Sequence, residues 1–171
     1  MNPPRTTTNS GSNETDKNAI VESLKKYMNY CLIFNGTLKI VASKIPLERS
    51  SIGFKALKTI QEVNRVLHNT MHNTAQEIID GKVDVEIPLP PLLPEIDLST
   101  PDLFSSIWET LQPILKVWAG SMKDGPLKAA ILTFCVEGEK SVATLRKIFE
   151  EVKKNGLVDF DLPPLIPEEI I

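Results

Sequence analysis

The sequence predicts an all-α fold: a four-helix bundle built from two duplicated antiparallel helical hairpins, each followed by an extended proline-rich arm. Three observations lead to this prediction. Apolar residues recur every three or four positions along four long stretches. Glycine or proline marks the boundaries of those stretches. The phrase Pro-Pro-Leu-(Leu/Ile)-Pro-Glu occurs twice, at 90–95 and at 163–168.

Composition divides the chain into three segments. Residues 1–17 contain mostly Asn, Thr, Ser, Gly and Pro, so we expect a disordered N-terminal tail. Residues 18–98 contain the first hairpin and its arm, and residues 99–171 contain the second hairpin and its arm. An apolar content of 42% in 171 residues is enough for both hairpins to share one core, which predicts one compact domain.

The first hairpin is predicted from two amphipathic stretches. Its first helix begins near Lys17 and ends before Pro46, because the residue that precedes a proline is driven out of the α region. Gly36 is a weak point within that helix. Its second helix ends at Gly81, which suits the left-handed position after a helix C-terminus. The predicted apolar faces are Ile20, Leu24, Tyr27, Met28, Cys31, Phe34, Leu38, Val41 and Ile45, and then Leu57, Ile60, Val63, Leu67, Met71, Ala75 and Ile78.

The first arm runs from Lys82 to Leu98. Its four prolines exclude a helix and a central strand. Extended or polyproline II backbone remains. The segment carries too many large apolar residues for a free linker, so we expect it to lie against the bundle.

The second hairpin has clear start signals. Thr100-Pro101-Asp102 offers a hydroxyl cap, a proline at the first helical position and an acid in the first turn. This third helix contains Pro113 as a weak point and is predicted to end near Met122. The fourth helix starts at Asp124-Gly125-Pro126 and ends at Gly156. Their apolar faces are Phe104, Ile107, Trp108, Leu111, Leu115 and Trp118, and then Leu127, Ile131, Phe134, Val142, Leu145, Phe149 and Val152.

The two halves match in both helices and in the arm, whereas chance would match two amphipathic helices alone, because any such pair can be aligned with a free choice of gap. A displacement of 77 residues relates the first helices of the two hairpins, and a displacement of 74 relates the second helices. The order of helix, weak point, helix, glycine and proline arm is the same in both halves. We therefore predict a duplication with a pseudo-two-fold axis. Aligned pairs are Tyr27 and Phe104, Tyr30 and Ile107, Cys31 and Trp108, Gly36 and Pro113, Leu57 and Ile131, and Ile60 and Phe134.

Signals of catalysis are missing from the sequence. It has no glycine-rich phosphate loop and no Gly-x-Ser-x-Gly elbow. Cys31 and Cys135 stand in apolar helical patterns, typical of small buried hydrophobes. A net charge of −3 argues against nucleic acid as a partner. We predict no enzymatic activity, no cofactor and no nucleic-acid partner.

The two histidines are weak candidates for metal ligands. His68 and His72 stand four residues apart and therefore share one face of a helix. A di-metal bundle needs a Glu-x-x-His pair on each of two helices. The residues three positions before these histidines are Arg65 and Asn69, and the fourth helix has no histidine. We therefore predict a polar face rather than a metal site.

Two further sets of residues are candidates for binding. The aromatic residues Phe104, Trp108, Trp118 and Phe134 belong to the predicted core, and helices bent at Gly36 and Pro113 would enclose an apolar cavity beside them. The second arm carries apolar residues that would dock in a groove of the same chain or of a neighbour. These interaction residues are Leu162, Leu165, Ile166, Ile170 and Ile171.

The sequence favours a non-enzymatic helical assembly or protein-interaction protein, either as a homo-oligomer or with another protein as partner. The alternative is a carrier of an apolar small molecule, or an amphipathic coat on a lipid or polymer granule. Neither a secretory leader nor a run of about 18 apolar residues is visible. We therefore expect a cytoplasmic protein without a transmembrane segment.

Overall fold

The computed structural model describes residues 5–44, 51–81, 87–100 and 102–154, apart from the side chains of residues 5–15, 44, 51, 152 and 153. Within these residues the chain forms four helices and no strand, which confirms the all-α prediction. No helix among the described residues is long and apolar enough to cross a bilayer. The helices are α1 (Arg5–Lys44), α2 (Ser51–Ile79), α3 (Leu103–Gly120) and α4 (Pro126–Lys154).

The four helices form a closed ring in which each helix packs against two others. Helix α1 contacts α2 and α3, and α4 also contacts α2 and α3. The ring of Tyr27 lies 5.3 Å from that of Trp118, and the ring of Phe34 lies 5.5 Å from that of Phe104, so α1 and α3 run in opposite directions. The connections from α1 to α2 and from α3 to α4 are short, which makes each hairpin antiparallel. It follows that α2 and α3 are parallel to each other.

One hydrophobic cluster joins all four helices, as the apolar faces predict. Every predicted core residue whose side chain is described is buried or packs partly buried against this cluster. Ile45 lies outside the described residues, as does the side chain of Val152. The largest fully buried side chains are Trp118, Tyr27, Phe34, Phe104 and Phe134.

The start of α1 differs from the prediction. Residues 5–17 form the first turns of α1, where the sequence predicted a disordered tail over residues 1–17. Ile20 is the first residue of α1 whose described side chain is buried. Once the packed part of a helix has formed, each further residue adds a hydrogen bond without a new nucleation step.

The start of α3 also differs in detail. The cap is Asp102, whose carboxylate accepts a hydrogen bond from the backbone N–H of Ser105 at 3.3 Å, whereas the sequence predicted Thr100. Asp102 has φ 55°, a left-handed conformation that aspartate tolerates better than most residues. At the end of α2 the prediction is confirmed, since Gly81 has φ 69°.

In each hairpin, one close contact joins the two helices near the middle of the second helix. In the second hairpin the Trp108 indole lies directly on Gly138, where a Cβ atom would stand 2.5 Å from Cη2 of the indole. In the first hairpin the Asn64 side chain donates to the backbone carbonyl of Cys31 at 2.9 Å. Glycine is therefore required at position 138 because of the indole that fills this place.

We predict that Gly138→Ala lowers the free energy of unfolding by about 1–3 kcal/mol, because the added methyl group overlaps the Trp108 ring. The matched control is Gly120→Ala, where a Cβ meets nothing within 4 Å. That variant gains helix propensity of up to about 1 kcal/mol. Denaturant unfolding of the three proteins measures both effects.

Adding Trp108→Phe to Gly138→Ala should recover part of the loss, because the smaller ring vacates the overlapping position. Equal destabilisation by the two glycine substitutions would contradict the packing described here.

Candidate functional site

The described part of the first arm, residues 87–98, lies across the groove between α1 and α3. Ile87, Leu93, Ile96 and Leu98 pack partly buried against the hydrophobic core, and Pro90 is buried. The arm therefore covers the side of the bundle where α1 meets α3. Two side chains point the other way, since Leu89 and Leu92 are 58% and 88% exposed.

Three aromatic side chains hold this segment through its backbone. We call Tyr27, Tyr30 and Trp118 the aromatic clamp. Their acceptors are carbonyl oxygens spaced by three residues, which is the repeat of a polyproline II helix. The bonds run from Trp118 Nε1 to the Pro88 carbonyl at 3.0 Å, from the Tyr27 hydroxyl to the Pro91 carbonyl at 2.6 Å, and from the Tyr30 hydroxyl to the Pro94 carbonyl.

The chemistry of proline explains why side chains do this work. Four prolines remove backbone donors from this segment and keep it out of a helix or central strand, so its carbonyl oxygens need donors from other parts of the chain or from water. Tyr27 and Trp118 are each only 1% exposed, and buried hydroxyl and indole groups likewise need an acceptor. The clamp satisfies both sides at once, as aromatic grooves do when they bind proline-rich peptides.

Burial moves the ionisation of both phenols to higher pH, further from the physiological range. The pKa of Tyr27 is raised well above its ordinary value by burial first and by the neighbouring Tyr30 second. Burial also raises the pKa of Tyr30, with a further contribution from the carboxylate of Glu95. Both hydroxyls are therefore donors throughout the physiological pH range.

The predicted repeat gives the clamp no counterpart in the sequence. The displacement of 77 residues relates Tyr27 to Phe104, Tyr30 to Ile107, and Trp118 to Val41. None of the three counterparts has a side chain that can donate a hydrogen bond. The predicted interaction residues of the second arm, Leu162, Leu165, Ile166, Ile170 and Ile171, lie outside the described residues.

The aromatic residues proposed to line a cavity lie in the packed core. The rings of Trp108 and Phe134 are 5.3 Å apart. Phe104 stacks on Phe34, and Trp118 contacts Tyr27. Each of the four is in ring contact with another aromatic residue, and a cavity beside them stays a prediction.

His68 lines a pocket between α1 and α2 together with Cys31 and Glu62. His72 is exposed, and Nδ1 of His68 lies 3.4 Å from the side-chain oxygen of Asn69. The described residues contain no group of three or more His, Cys, Asp and Glu side chains that would hold a metal. Burial raises the pKa of the Cys31 thiol to about 12 and that of Cys135 to about 11, so both thiols are protonated and unreactive at neutral pH.

The surface pockets were not foreseen from the sequence, and two of them adjoin α1. One, of about 570 Å³, lies between α1 and the first arm, with Tyr30, Ile33 and Ile107 among its lining residues. The other, of about 370 Å³, lies in the groove between α1 and α2 and includes Asn64 and Lys58. Both combine residues that are far apart in the chain, and a search by periodicity cannot find such combinations.

Comparison with known proteins gives no relative for this chain. It matches no protein-family model, no curated protein and no solved structure. Its function must therefore be inferred from the arrangement of its own side chains.

We predict that both tyrosines ionise at higher pH in the folded chain than in the unfolded chain, and that Tyr27 ionises at the higher pH of the two. Because their pKa values are raised on folding, the clamp's contribution to stability is constant below about pH 10 and is lost as the pH rises further. Ultraviolet titration of phenolate reads these residues directly, since the chain has two tyrosines.

The variant Tyr30→Phe should leave a single transition from Tyr27, and the protein in concentrated urea supplies the reference. Ordinary titration of both residues in the folded chain would mean that the clamp does not form.

Proposed function

We propose that this chain is a non-enzymatic assembly protein in which two related hairpins form the bundle and the second arm binds another polypeptide. One observation carries the proposal: the sequence has two similar arms, but the donors that hold the first arm have no counterpart for the second. The apolar residues of the second arm then remain available for a partner.

The close contacts between the two helices of each hairpin support a duplication. Cys31 and Asn64 touch in the first hairpin, and Trp108 and Gly138 touch in the second. The displacements of 77 and 74 residues convert the first pair into the second. The antiparallel packing of α1 on α3 is also what a two-fold axis perpendicular to the helices requires.

With such a two-fold axis, both arms would have to bind in the same groove. It relates α1 to α3, so the groove between these helices is shared by the two halves and is not repeated elsewhere in the bundle. The first arm fills it, with Pro90 buried and Pro88 bonded to Trp118. We therefore propose that the second arm binds a groove on another polypeptide.

Chain length also argues against exchange of the two arms within one molecule. Gly138 lies beside Trp108. A helix rises about 1.5 Å per residue. Lys154 therefore lies about 24 Å from Gly138 towards one end of the bundle, and Trp118 lies about 15 Å from Trp108 towards the other end. Asp161, which aligns with Pro88, follows Lys154 by seven residues. Seven extended residues span at most about 25 Å. Asp161 therefore cannot reach Trp118 and take the place that Pro88 occupies there.

We expect deletion of residues 157–171 to abolish self-association or partner capture while the helical bundle stays folded. Native mass spectrometry of the protein purified from its own source identifies the complex, as a multiple of the chain mass or as a complex with another polypeptide. Circular dichroism checks the fold. An unchanged assembly after the deletion would rule the proposal out.

A matched pair of substitutions separates the two arms. Leu165 in the second arm aligns with Leu92 in the first. We expect Leu165→Asp to weaken the assembly and Leu92→Asp, at a side chain that is 88% exposed, to leave it intact. The reverse result would assign the interface to the first arm.

A second candidate is the carrier of an apolar small molecule, favoured by the pocket of about 570 Å³ between α1 and the first arm. Its lining includes the apolar residues Ile33, Leu93 and Ile107 and the basic residues Lys25 and Lys26. A carrier should show extra mass of small-molecule size in native mass spectrometry, and Ile33→Glu should remove it. Purified protein without bound mass, and without binding of an apolar fluorescent probe, would dismiss this candidate.

A further inference from the structure

Two of the four charged residues that line the pocket between α1 and the first arm pair with each other. The ammonium of Lys25 lies 3.3 Å from the carboxylate of Glu22. Lys26 on α1 and Glu95 on the first arm are the other two, and neither side chain has an ion-pair partner within the part of the chain that the structure describes. The pocket therefore offers one ammonium group and one carboxylate group to a ligand.

Both of these groups are neighbours of Tyr30. Lys26 stands four residues before Tyr30 and shares its face of α1. The Tyr30 hydroxyl donates to the carbonyl oxygen of Pro94, which directly precedes Glu95. Burial first and the Glu95 carboxylate second raise the pKa of Tyr30, so that carboxylate lies close to the phenol. Opposite charges thus stand on two walls of one pocket without pairing with each other, and a ligand can lie between them.

The remaining wall of the pocket is aliphatic. Its branched side chains are packed against the hydrophobic core, which fixes their positions. Apolar surface that lines a pocket is removed from water when an apolar group of a ligand covers it. The volume of about 570 Å³ is typical of small-molecule sites. The aliphatic lining residues are Ile33, Leu93, Ile96, Leu98 and Ile107.

We propose that this pocket binds a zwitterionic amino acid with a branched aliphatic side chain. Lys26 binds the carboxylate of the ligand, Glu95 binds its ammonium group, and the aliphatic wall contacts its side chain. The lining residues carry two basic and two acidic groups, which favours a ligand without net charge. A ligand with a single charge would leave Lys26 or Glu95 unpaired. The proposal specifies the ligand class of the carrier that is the second candidate function, and it rests on that candidate.

Titration with L-leucine and two singly charged analogues, followed by nuclear magnetic resonance, tests the proposal. The analogue 4-methylpentanoate lacks the amino group and 3-methylbutylamine lacks the carboxyl group, while all three compounds share one alkyl chain. Wild-type protein should bind leucine more tightly than either analogue, by about threefold for each exposed ion pair. Glycine, which lacks the alkyl chain, should bind more weakly than leucine.

Two variants assign the charged groups of the ligand to their partners. Lys26→Gln should weaken leucine and 4-methylpentanoate but not 3-methylbutylamine. Glu95→Gln should weaken leucine and 3-methylbutylamine but not 4-methylpentanoate. Both residues are exposed, so the fold should be retained, and circular dichroism verifies it. The matched control is Lys147→Gln, at an exposed position of α4, which should change none of the affinities.

Equal affinities of wild-type protein for leucine and its two analogues would overturn the proposal, and so would a leucine affinity that neither variant lowers. An apolar fluorescent probe separates this result from failure of the carrier candidate. If wild-type protein binds the probe but not leucine, and Ile33→Glu removes the probe, the ligand class is wrong and the carrier candidate stands. If neither compound binds, both proposals fail.

Discussion

The whole structure depends on the connection between α2 and α3, which runs from one end of the bundle to the other. Helices α2 and α3 are parallel, so the chain must travel the length of the bundle between them, outside any helix or strand over the described residues 87–100. Backbone carbonyls on such a path need donors. The aromatic clamp supplies them from both walls of the groove, with Tyr27 and Tyr30 on α1 and Trp118 on α3. The connection thereby becomes part of the packing between the two hairpins.

The two hairpins differ in the size of the side chains that fill the space between their helices. One places a large ring against glycine, and the other places a small thiol beside an amide. The first choice fills the interior completely and tolerates no additional atom. The second leaves the buried side-chain oxygen of Asn64 without a hydrogen-bond partner.

Local pattern was sufficient for the helices and insufficient for the sites. The apolar spacing from Ile20 to Val41 predicted the buried face of α1, and Gly81 predicted the end of α2. Capping was misassigned by two residues, because Thr100 and Asp102 are both good caps and tertiary geometry decides between them. The clamp was not found because its tyrosines lie 64 residues from their acceptors. One available signal was that both tyrosines of the chain stand three residues apart, next to the helical face that faces the core.

The clamp also bears on the order in which the chain can fold. Each hairpin is closed by contacts between neighbouring helices, which form early because the intervening loops are short. The first arm, by contrast, touches α1 behind it and α3 ahead of it, so its groove does not exist until both hairpins have met. Its docking is therefore expected to complete folding rather than to initiate it. Mutations in the clamp should speed unfolding much more than they slow folding, which makes this crossing a determinant of the lifetime of the native state.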